Sequence, residues 1–198
     1  MILVLSTRNR HKLREMGELL PTVELRPLPE EVELPPEDGD TFAANALIKA
    51  RAARAATGAG VIADDSGIEA EALGGAPGIY SARYAGEGAT DEVNLAKLLD
   101  DVDAVAGSRR AAYFCALALI DEAGTEHVFE ARCEGRLLKQ GRGEGGFGYD
   151  PAFVPDETGP DDLRTYSELS DAEKHAISHR GKAVRKLAAH LGIAAGPL

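Results

Sequence analysis

The sequence predicts an α/β protein with a mixed sheet, and three observations support this class. The amino-terminal third alternates short apolar runs with helical patterns, which is typical of parallel α/β units. Residues 110–120 and 127–138 are long strand candidates on either side of the turn DEAGTE, which predicts a hairpin. The chain has 198 residues, 44% of them hydrophobic, and no low-complexity linker divides it. We therefore expect one domain over residues 1–198.

The helices are predicted from apolar spacing and from the residues at their ends. In RHKLREMGELL the apolar residues recur on one helical face before Pro21 ends the helix. Thr41 begins a long helix, TFAANALIKARAARAAT, which Gly58 ends. TDEVNLAKLLDDV is a third helix, and the capping box SDAE at Ser170 begins a last one, interrupted by Gly181. The remaining strand candidates are residues 1–6 and 22–28, the apolar run that begins at Val61 and ends in the two carboxylates, and the alternating IEAEAL.

Composition and charge exclude several classes of protein. A net charge of −11 argues against a nucleic-acid-binding surface, which needs a basic footprint, but a local cluster of Lys and Arg still suits a small anionic ligand. The apolar start MILVL is too short for a signal peptide, and no stretch is long enough to span a membrane. Cys115 and Cys133 are too few for a disulfide framework, so we expect reduced thiols and a cytoplasmic protein.

The stretch VIADDSG, residues 61–67, places two adjacent carboxylates directly after an apolar strand. Ionised carboxylates beside a core are costly unless they are paired, hydrogen-bonded or bound to a metal. A strand end followed by an Asx/Gly turn explains the same residues without any function. The pair Asp64 and Asp65 therefore indicates a site only if other segments supply partners.

Two further segments could bind phosphate, although each has a plainer explanation. STRNRHK follows the first strand and begins the first helix, where backbone N–H groups and the helix dipole favour anions, yet Thr and Asn are also common helix caps. PPEDGDTFAANALIKA offers Glu37 in a loop, with Asn45 and Lys49 on one face of the next helix. A helical lysine is usually solvated, so this segment decides nothing alone.

Two segments near the carboxyl end could recognise a planar base. GEGGFGYDP holds Phe147 among glycines, and an aromatic ring on such a loop is well suited to stacking. EKHAISHRGKA concentrates basic side chains on one helix, and the fork of donors on Arg180 suits carbonyl or phosphate oxygens. We interpret the basic helix as a recognition patch and the glycine-rich loop as a functional loop that presents Phe147 for stacking.

Taken together, TRNRHK, IADDSG, GGAPGIYSARY, GGFGYDP and ISHRG resemble the inosine triphosphate pyrophosphatase family, in the family's order and almost from end to end. The resemblance implies an elongated α/β fold with two lobes and a central substrate cleft, and a homodimer with GGAPGIYSARY near its interface. It also implies Mg²⁺-dependent hydrolysis of ITP, dITP and XTP to the nucleoside monophosphate and pyrophosphate. No nucleic-acid or membrane partner is expected.

The resemblance also assigns roles to residues. Asp65 is the implied proton acceptor and, with Glu37, the implied metal ligand, while Lys49 and Ser66 contact the substrate. The implied base pocket has Phe147 stacked on the purine, together with Gly148, Tyr149 and Asp150, and it is closed by Lys174, His179 and Arg180. The triphosphate would be held by the residues after the first strand, namely Thr7, Arg8, Asn9, Arg10, His11 and Lys12.

The chain departs from the family pattern at Arg8, where a small residue, often Gly, is usual. This arginine either adds a phosphate contact or points to solvent. For specificity, a donor such as Arg180 or a backbone N–H would favour a 6-oxo purine over adenine. A related pyrophosphatase acting on other nucleotides and a non-hydrolysing nucleotide sensor are the alternatives, and the acids at positions 37 and 65 favour an enzyme.

Overall fold

The computed structural model describes residues 1–105 and 107–196, and its strands form one mixed sheet in the order β2-β1-β3-β4-β5-β6. β1 is parallel to both β2 and β3, whereas β5 and β6 are antiparallel. The predicted α/β class with a mixed sheet is therefore confirmed. The strands are β1 (Ile2–Leu5), β2 (Glu24–Pro27), β3 (Val61–Ala70), β4 (Arg110–Ile120), β5 (Glu126–Leu137) and β6 (Phe153–Pro155).

Five α-helices and five short 3-10 helices occur in the described ranges. The α-helices are α1 (Arg10–Leu19), α2 (Phe42–Thr57), α3 (Asp91–Ala104), α4 (Asp171–Ile177) and α5 (His179–Leu191). The 3-10 helices are Glu71–Leu73, Gly78–Arg83, Asp150–Ala152, Asp156–Thr158 and Tyr166–Glu168.

Two sequence predictions about element ends are wrong. The strand that begins at Val61 does not end at the acidic pair but continues to Ala70, so no Asx/Gly turn follows Asp65. The last helical stretch is broken at Ser178, whose ψ of 155° is extended, and α5 then runs through Gly181 without interruption. In both places tertiary packing overrides the local preference of glycine for turns.

The chain forms two compact units, each with its own core. The first unit comprises residues 1–65, 115–131 and the described residues from Arg180 onward; the second comprises residues 66–114 and 132–179. The first core is mainly aliphatic and includes Leu5, Met16, Ile62, Leu117 and Leu187. The second core includes Ile68, Leu98, Tyr113, Phe153 and Tyr166. The single-domain description stays a prediction, as do the elongated shape and the cleft.

Helix α2 shows how local sequence brings polar groups into the first core. The Thr41 hydroxyl accepts the Ala44 N–H, and Gly58 ends the helix with φ of 66°, a left-handed conformation that favours glycine. Between these caps the buried face carries Asn45 and Lys49 among alanines. A buried lysine is rare unless it is paired, so this face indicates a site. No helix within the described residues is both long and apolar enough to cross a membrane.

Candidate active site

The predicted phosphate segment is a capped helix start in the first unit. Ser6 and Thr7 are buried directly after β1. The Asn9 side chain accepts the backbone N–H groups of His11 and Lys12, with N–O distances of 2.9 and 3.2 Å. This cap fixes the first turn of α1, and it places the Lys12 side chain toward the core, while Arg10 and His11 stay exposed.

Lys12 belongs to a buried cluster of charges centred on Asp64. Its Nζ lies 3.2 Å from Asp64 Oδ1, and Nη2 of Arg180 lies 3.0 Å from Asp64 Oδ2. Arg180 also contacts Glu15, at 2.5 Å. Burial alone would raise the pKa of Asp64, but the neighbouring ammonium and guanidinium groups outweigh it and hold this pKa well below its usual range. Asp64 is therefore an ionised anchor for both cations.

Asp65 belongs to a second cluster, formed with α2 and the preceding loop. Lys49 Nζ lies 2.9 Å from Asp65 Oδ1 and 2.6 Å from Glu37 Oε1, and Asn45 donates to Asp65 Oδ2 at 3.3 Å. The predicted common face of Asn45 and Lys49 is confirmed by their shared partner. Successive side chains of a strand point to opposite faces, which explains why Asp64 and Asp65 have different partners.

The two members of the Asp65–Lys49 pair have shifted pKa values with different causes. Burial and the nearby Glu37 carboxylate raise the pKa of Asp65, and Lys49 only partly offsets them. Burial lowers the pKa of Lys49, but the surrounding carboxylates outweigh it, so the net shift is upward. Lys49 therefore stays a cation, and a carboxylate with a raised pKa is a better proton acceptor than an ordinary aspartate.

Asp150 organises the candidate base-binding loop in the second unit. It is 2% exposed and accepts hydrogen bonds from the Tyr113 hydroxyl at 3.0 Å, the Phe147 N–H at 2.9 Å and the Lys174 ammonium at 2.7 Å. Gly146 has φ of 71° and lies so close that a Cβ would meet Asp150 Oδ2 at 2.2 Å. The glycines therefore allow the loop to close over a buried carboxylate.

The residues FGYD divide into a half-buried pair and a buried pair. The Phe147 ring is half-buried, with the Lys174 ammonium 5.1 Å from its centroid, a cation–π distance. Gly148 is also half-buried, and its N–H donates to Asp91 at 2.8 Å. Tyr149 is 5% exposed and donates its hydroxyl to a backbone carbonyl. Among these four residues, the Phe147 ring is the side chain best placed to meet a ligand.

Aromatic rings surround His179 in the second unit. Its ring stacks on Tyr113 with a centroid distance of 4.6 Å and an interplanar angle of 4°. Tyr113 also contacts Tyr166 and Phe153 at 5.6 and 4.9 Å. Ser66, the first residue of this unit, is half-buried. The structure thus places His179 in an aromatic cluster, whereas the next residue, Arg180, belongs to the charged cluster of the first unit.

The structure separates the predicted residues into three groups. Lys12, Lys49, Glu37 and Asp65 lie in the charged clusters with Arg180, and all three nitrogens of that guanidinium contact carboxylates. Phe147, Asp150, Lys174 and His179 lie in the second unit. Arg8 is exposed, and its guanidinium donates to four backbone carbonyls, so its predicted phosphate contact stays a prediction. Residues that sequence reasoning missed are Glu15, Asp91, Tyr113 and Tyr166.

A signal for one missed residue was present. Glu15 lies three positions after Lys12 on a helix, a spacing at which side chains share a face. Tyr113 sits in an apolar strand pattern that resembles ordinary core, and nothing in the sequence distinguishes its hydroxyl contact with Asp150. Asp91 had only the signature of an acidic residue in the first turn of a helix.

Solved structures first define the class of protein. The HAM1 protein from Coxiella burnetii superposes with a TM-score of 0.87 at 40% identity, covering 97% of this chain and 98% of that one. A model of the Ham1 family matches residues 3–190, and the chain belongs to this family.

The chain is 46% identical to the dITP/XTP pyrophosphatase of Desulforamulus reducens over 192 residues, 94% of this chain and 93% of that one. With the corresponding protein of Geobacter sulfurreducens it shares 45% identity over 196 residues, 96% of each chain. The resemblance inferred from the motifs is confirmed.

Proposed function

We propose that this protein hydrolyses the non-standard purine nucleoside triphosphates ITP, dITP and XTP to the nucleoside monophosphate and pyrophosphate. The names of the relatives support this substrate class. The observation that carries the proposal is Asp65: a buried carboxylate with a raised pKa, held by Lys49 beside Glu37. Such a group suits the activation of water better than it suits a structural role.

In this reaction Asp65 accepts a proton from a water molecule that attacks the α-phosphorus. The bond between that phosphorus and the oxygen bridging to the β-phosphorus breaks, and pyrophosphate leaves with the bond's electron pair. Lys12 and Lys49 hold negative charge on the phosphates, and the capped start of α1 adds its dipole. Positioning and electrostatics supply most of the acceleration, as is usual in phosphoryl chemistry.

The donor set fits Mg²⁺. Within residues 1–105 and 107–196 no three His, Cys, Asp or Glu side chains form a metal cage. Mg²⁺ is commonly bound by one or two carboxylates together with substrate phosphates and water, and Glu37 and Asp65 converge on one ammonium, that of Lys49. These two residues would hold the ion, which when bound neutralises charge on the phosphates.

The base is recognised by residues of the second unit. Phe147 stacks on the purine, and the Lys174 ammonium lies against the same ring. Asp150 positions both through its hydrogen bonds. Because every nitrogen of Arg180 contacts a carboxylate, the donor that favours a 6-oxo purine is better sought in a backbone N–H of the loop. Substrate contacts by Arg10, His11, Tyr149 and Ser66 stay predictions.

We also propose a homodimer that acts in the cytoplasm. Tyr80, in the segment GGAPGIYSARY, is a large side chain that is 56% exposed, as expected of an interface residue. Cys115 and Cys133 are buried thiols outside any disulfide, which suits a reducing compartment. A non-hydrolysing sensor remains the alternative from another class.

Product analysis separates these functions. Purified protein is incubated with Mg²⁺ and, separately, ITP, XTP, GTP and ATP, and the phosphorus products are identified. We expect monophosphate and pyrophosphate from ITP and XTP, with GTP and ATP largely spared. Binding of ITP without turnover would favour the sensor, and release of orthophosphate would place the attack at another phosphorus.

A further inference from the structure

The guanidinium of Arg8 donates hydrogen bonds to a loop of its own unit. Nη1 donates to the Leu28 carbonyl at 2.8 Å. Nη2 donates to the carbonyls of Pro29, Glu30 and Val32 at 2.8, 3.2 and 2.8 Å. Nη2 has two hydrogens for three acceptors, so one hydrogen is shared. Four carbonyls converge on one planar fork, and this geometry is specific to arginine.

The contacted carbonyls belong to residues 28–41, which connect β2 to α2 and contain no helix or strand. We call this segment the 28–41 loop. Its prolines, at positions 29, 35 and 36, have no N–H and cannot build a regular ladder. Inside the loop the Val32 N–H donates to the Pro29 carbonyl at 3.1 Å, and Arg8 adds charged donors for the carbonyls at the loop's beginning. At the far end, the Gly39 N–H donates to the Asn45 side chain at 2.9 Å.

Glu37 lies between these two anchors. Its carboxylate is 2.6 Å from Lys49 Nζ, beside Asp65, and its side chain is 29% exposed. The ion pair with Lys49 holds the Glu37 side chain, and the anchors at residues 28–32 and at Gly39 restrain the backbone that carries it. Arg8 stands in the turn between β1 and α1, next to Thr7 and Asn9, so it ties the 28–41 loop to the predicted phosphate segment.

We propose that Arg8 is a positioning residue that fixes the 28–41 loop and thereby places Glu37 for the metal ion; the metal part of this inference rests on the proposed function. Arg8 acts through loop carbonyls, not through the substrate. An anchoring role and a direct phosphate contact place different requirements on the side chain. A phosphate contact needs positive charge, which lysine also supplies, whereas the anchor needs a fork with several donors in one plane.

The first test measures amide hydrogen exchange in the metal-free protein. We compare wild type, Arg8→Ala and Arg8→Lys, with Arg14→Ala as a matched control, since Arg14 is 52% exposed on the neighbouring helix. We expect the amides of Val32 and Gly39, which donate hydrogen bonds to the Pro29 carbonyl and the Asn45 side chain, to exchange about tenfold faster in both Arg8 variants, because the loop opens more often once the charged donor is lost. Arg14→Ala is expected to leave them unchanged. Unchanged exchange in Arg8→Ala, or wild-type exchange in Arg8→Lys, overturns the proposal.

The second test measures ITP hydrolysis as Mg²⁺ is varied. Both Arg8 variants are expected to need about tenfold more Mg²⁺ for half-maximal rate, the scale on which residues that orient metal ligands act. KM for ITP at saturating Mg²⁺ should change less than about twofold. A raised KM in Arg8→Ala that Arg8→Lys restores, at unchanged Mg²⁺ dependence, would instead assign Arg8 to the phosphates and overturn the proposal.

The two tests distinguish failure of this inference from failure of the proposed function. If no nucleotide is hydrolysed but both Arg8 variants loosen the loop, the anchor is supported and the proposed function fails. If ITP is hydrolysed and the loop is unaffected, the anchor fails alone. If Arg8→Ala does not fold, as judged by circular dichroism, Arg8→Lys, which keeps the charge and the long aliphatic stem, carries both tests.

Discussion

Both units bury polar groups inside a core, but they stabilise these groups in different ways. In the first unit buried ions are matched with opposite ions: Asp64 with Lys12 and Arg180, and Asp65 with Lys49. In the second unit one carboxylate, Asp150, collects neutral and charged donors beneath a layer of rings. Ion pairs suit phosphates, which are highly charged, and rings suit a base, which is planar. We therefore expect the way in which each unit buries its polar groups to follow the part of the substrate that it is proposed to bind.

Removing a buried charge from the first unit should have the largest effect. Asp64→Asn leaves Arg180 and Lys12 without their main counter-ion, so we expect a loss of about 3–5 kcal/mol in unfolding free energy. Urea denaturation at pH 7 of the metal-free protein measures it, with the exposed Asp38→Asn as the control.

The same variant has a definite pH dependence. The folded-state pKa of Asp64 is depressed, so its contribution is fully present above its ordinary pKa of 3.8 and is lost as pH falls toward the folded value. The difference between wild type and Asp64→Asn should therefore narrow below about pH 4. A difference that stays constant down to pH 2 would contradict the ion-pair explanation.

Removing the proposed proton acceptor, Asp65, should have the next largest effect. Asp65→Asn is expected to lower kcat for ITP by roughly 10²-fold or more, the scale of a lost general base. Steady-state kinetics measures this, and a thermal melt checks that the protein is folded. A kcat within about threefold of wild type would remove Asp65 from the chemistry.

A smaller loss should follow from the ring of the second unit. Phe147→Ala is expected to weaken ITP binding by about 1–3 kcal/mol through lost stacking, seen as a raised KM. Inorganic tripolyphosphate provides the control: its inhibition constant should not change, since it has phosphates but no base. An equal loss for both compounds would mean that Phe147 supports the protein and not the base.

The smallest effect should come from a neutral donor. Tyr113→Phe removes the hydroxyl that donates to Asp150 but keeps the stacked ring, so we expect a loss of about 1–2 kcal/mol in stability. Thr22→Val, which removes the hydroxyl of an exposed side chain, is the control and should be close to neutral. If Tyr113→Phe were as costly as Asp64→Asn, the contrast between the two units would not hold.

Much of the fold followed from the sequence because its signals are local. Alternation of apolar runs with capped helices is readable without long-range information, and the caps at Thr41 and Gly58 fell where expected. The end of β3 was missed because Ser66 and Gly67 favour a turn locally, while neighbours distant in sequence keep the strand extended. The break at Ser178 was missed because the local sequence favours a continuous helix, and only the tertiary structure shows the extended backbone at this residue.

The candidate site was predictable in its parts but not in its connections. From the sequence alone, Lys49 is interpreted as a solvated helical lysine. Only the fold shows that it is 6% exposed and lies between two carboxylates. Nothing in the sequence around Arg8 indicates its contacts with loop carbonyls 20 to 24 positions away. Arg180 was expected near a base because its fork suits carbonyl oxygens, yet the same fork suits Asp64 and Glu15 equally well.

The position of Arg180 near the end of the chain has a consequence for synthesis. It lies 116 residues after Asp64 and 165 after Glu15. At about 5–20 residues per second, roughly 6–23 s pass between translation of Asp64 and of its partner arginine. Through that interval Asp64 has Lys12 but not Arg180, and Glu15 lacks its guanidinium partner. Because α5 also supplies Val184 and Leu187 to the first core, the first unit, although it contains the amino terminus, can complete its core only after α5 has been synthesised.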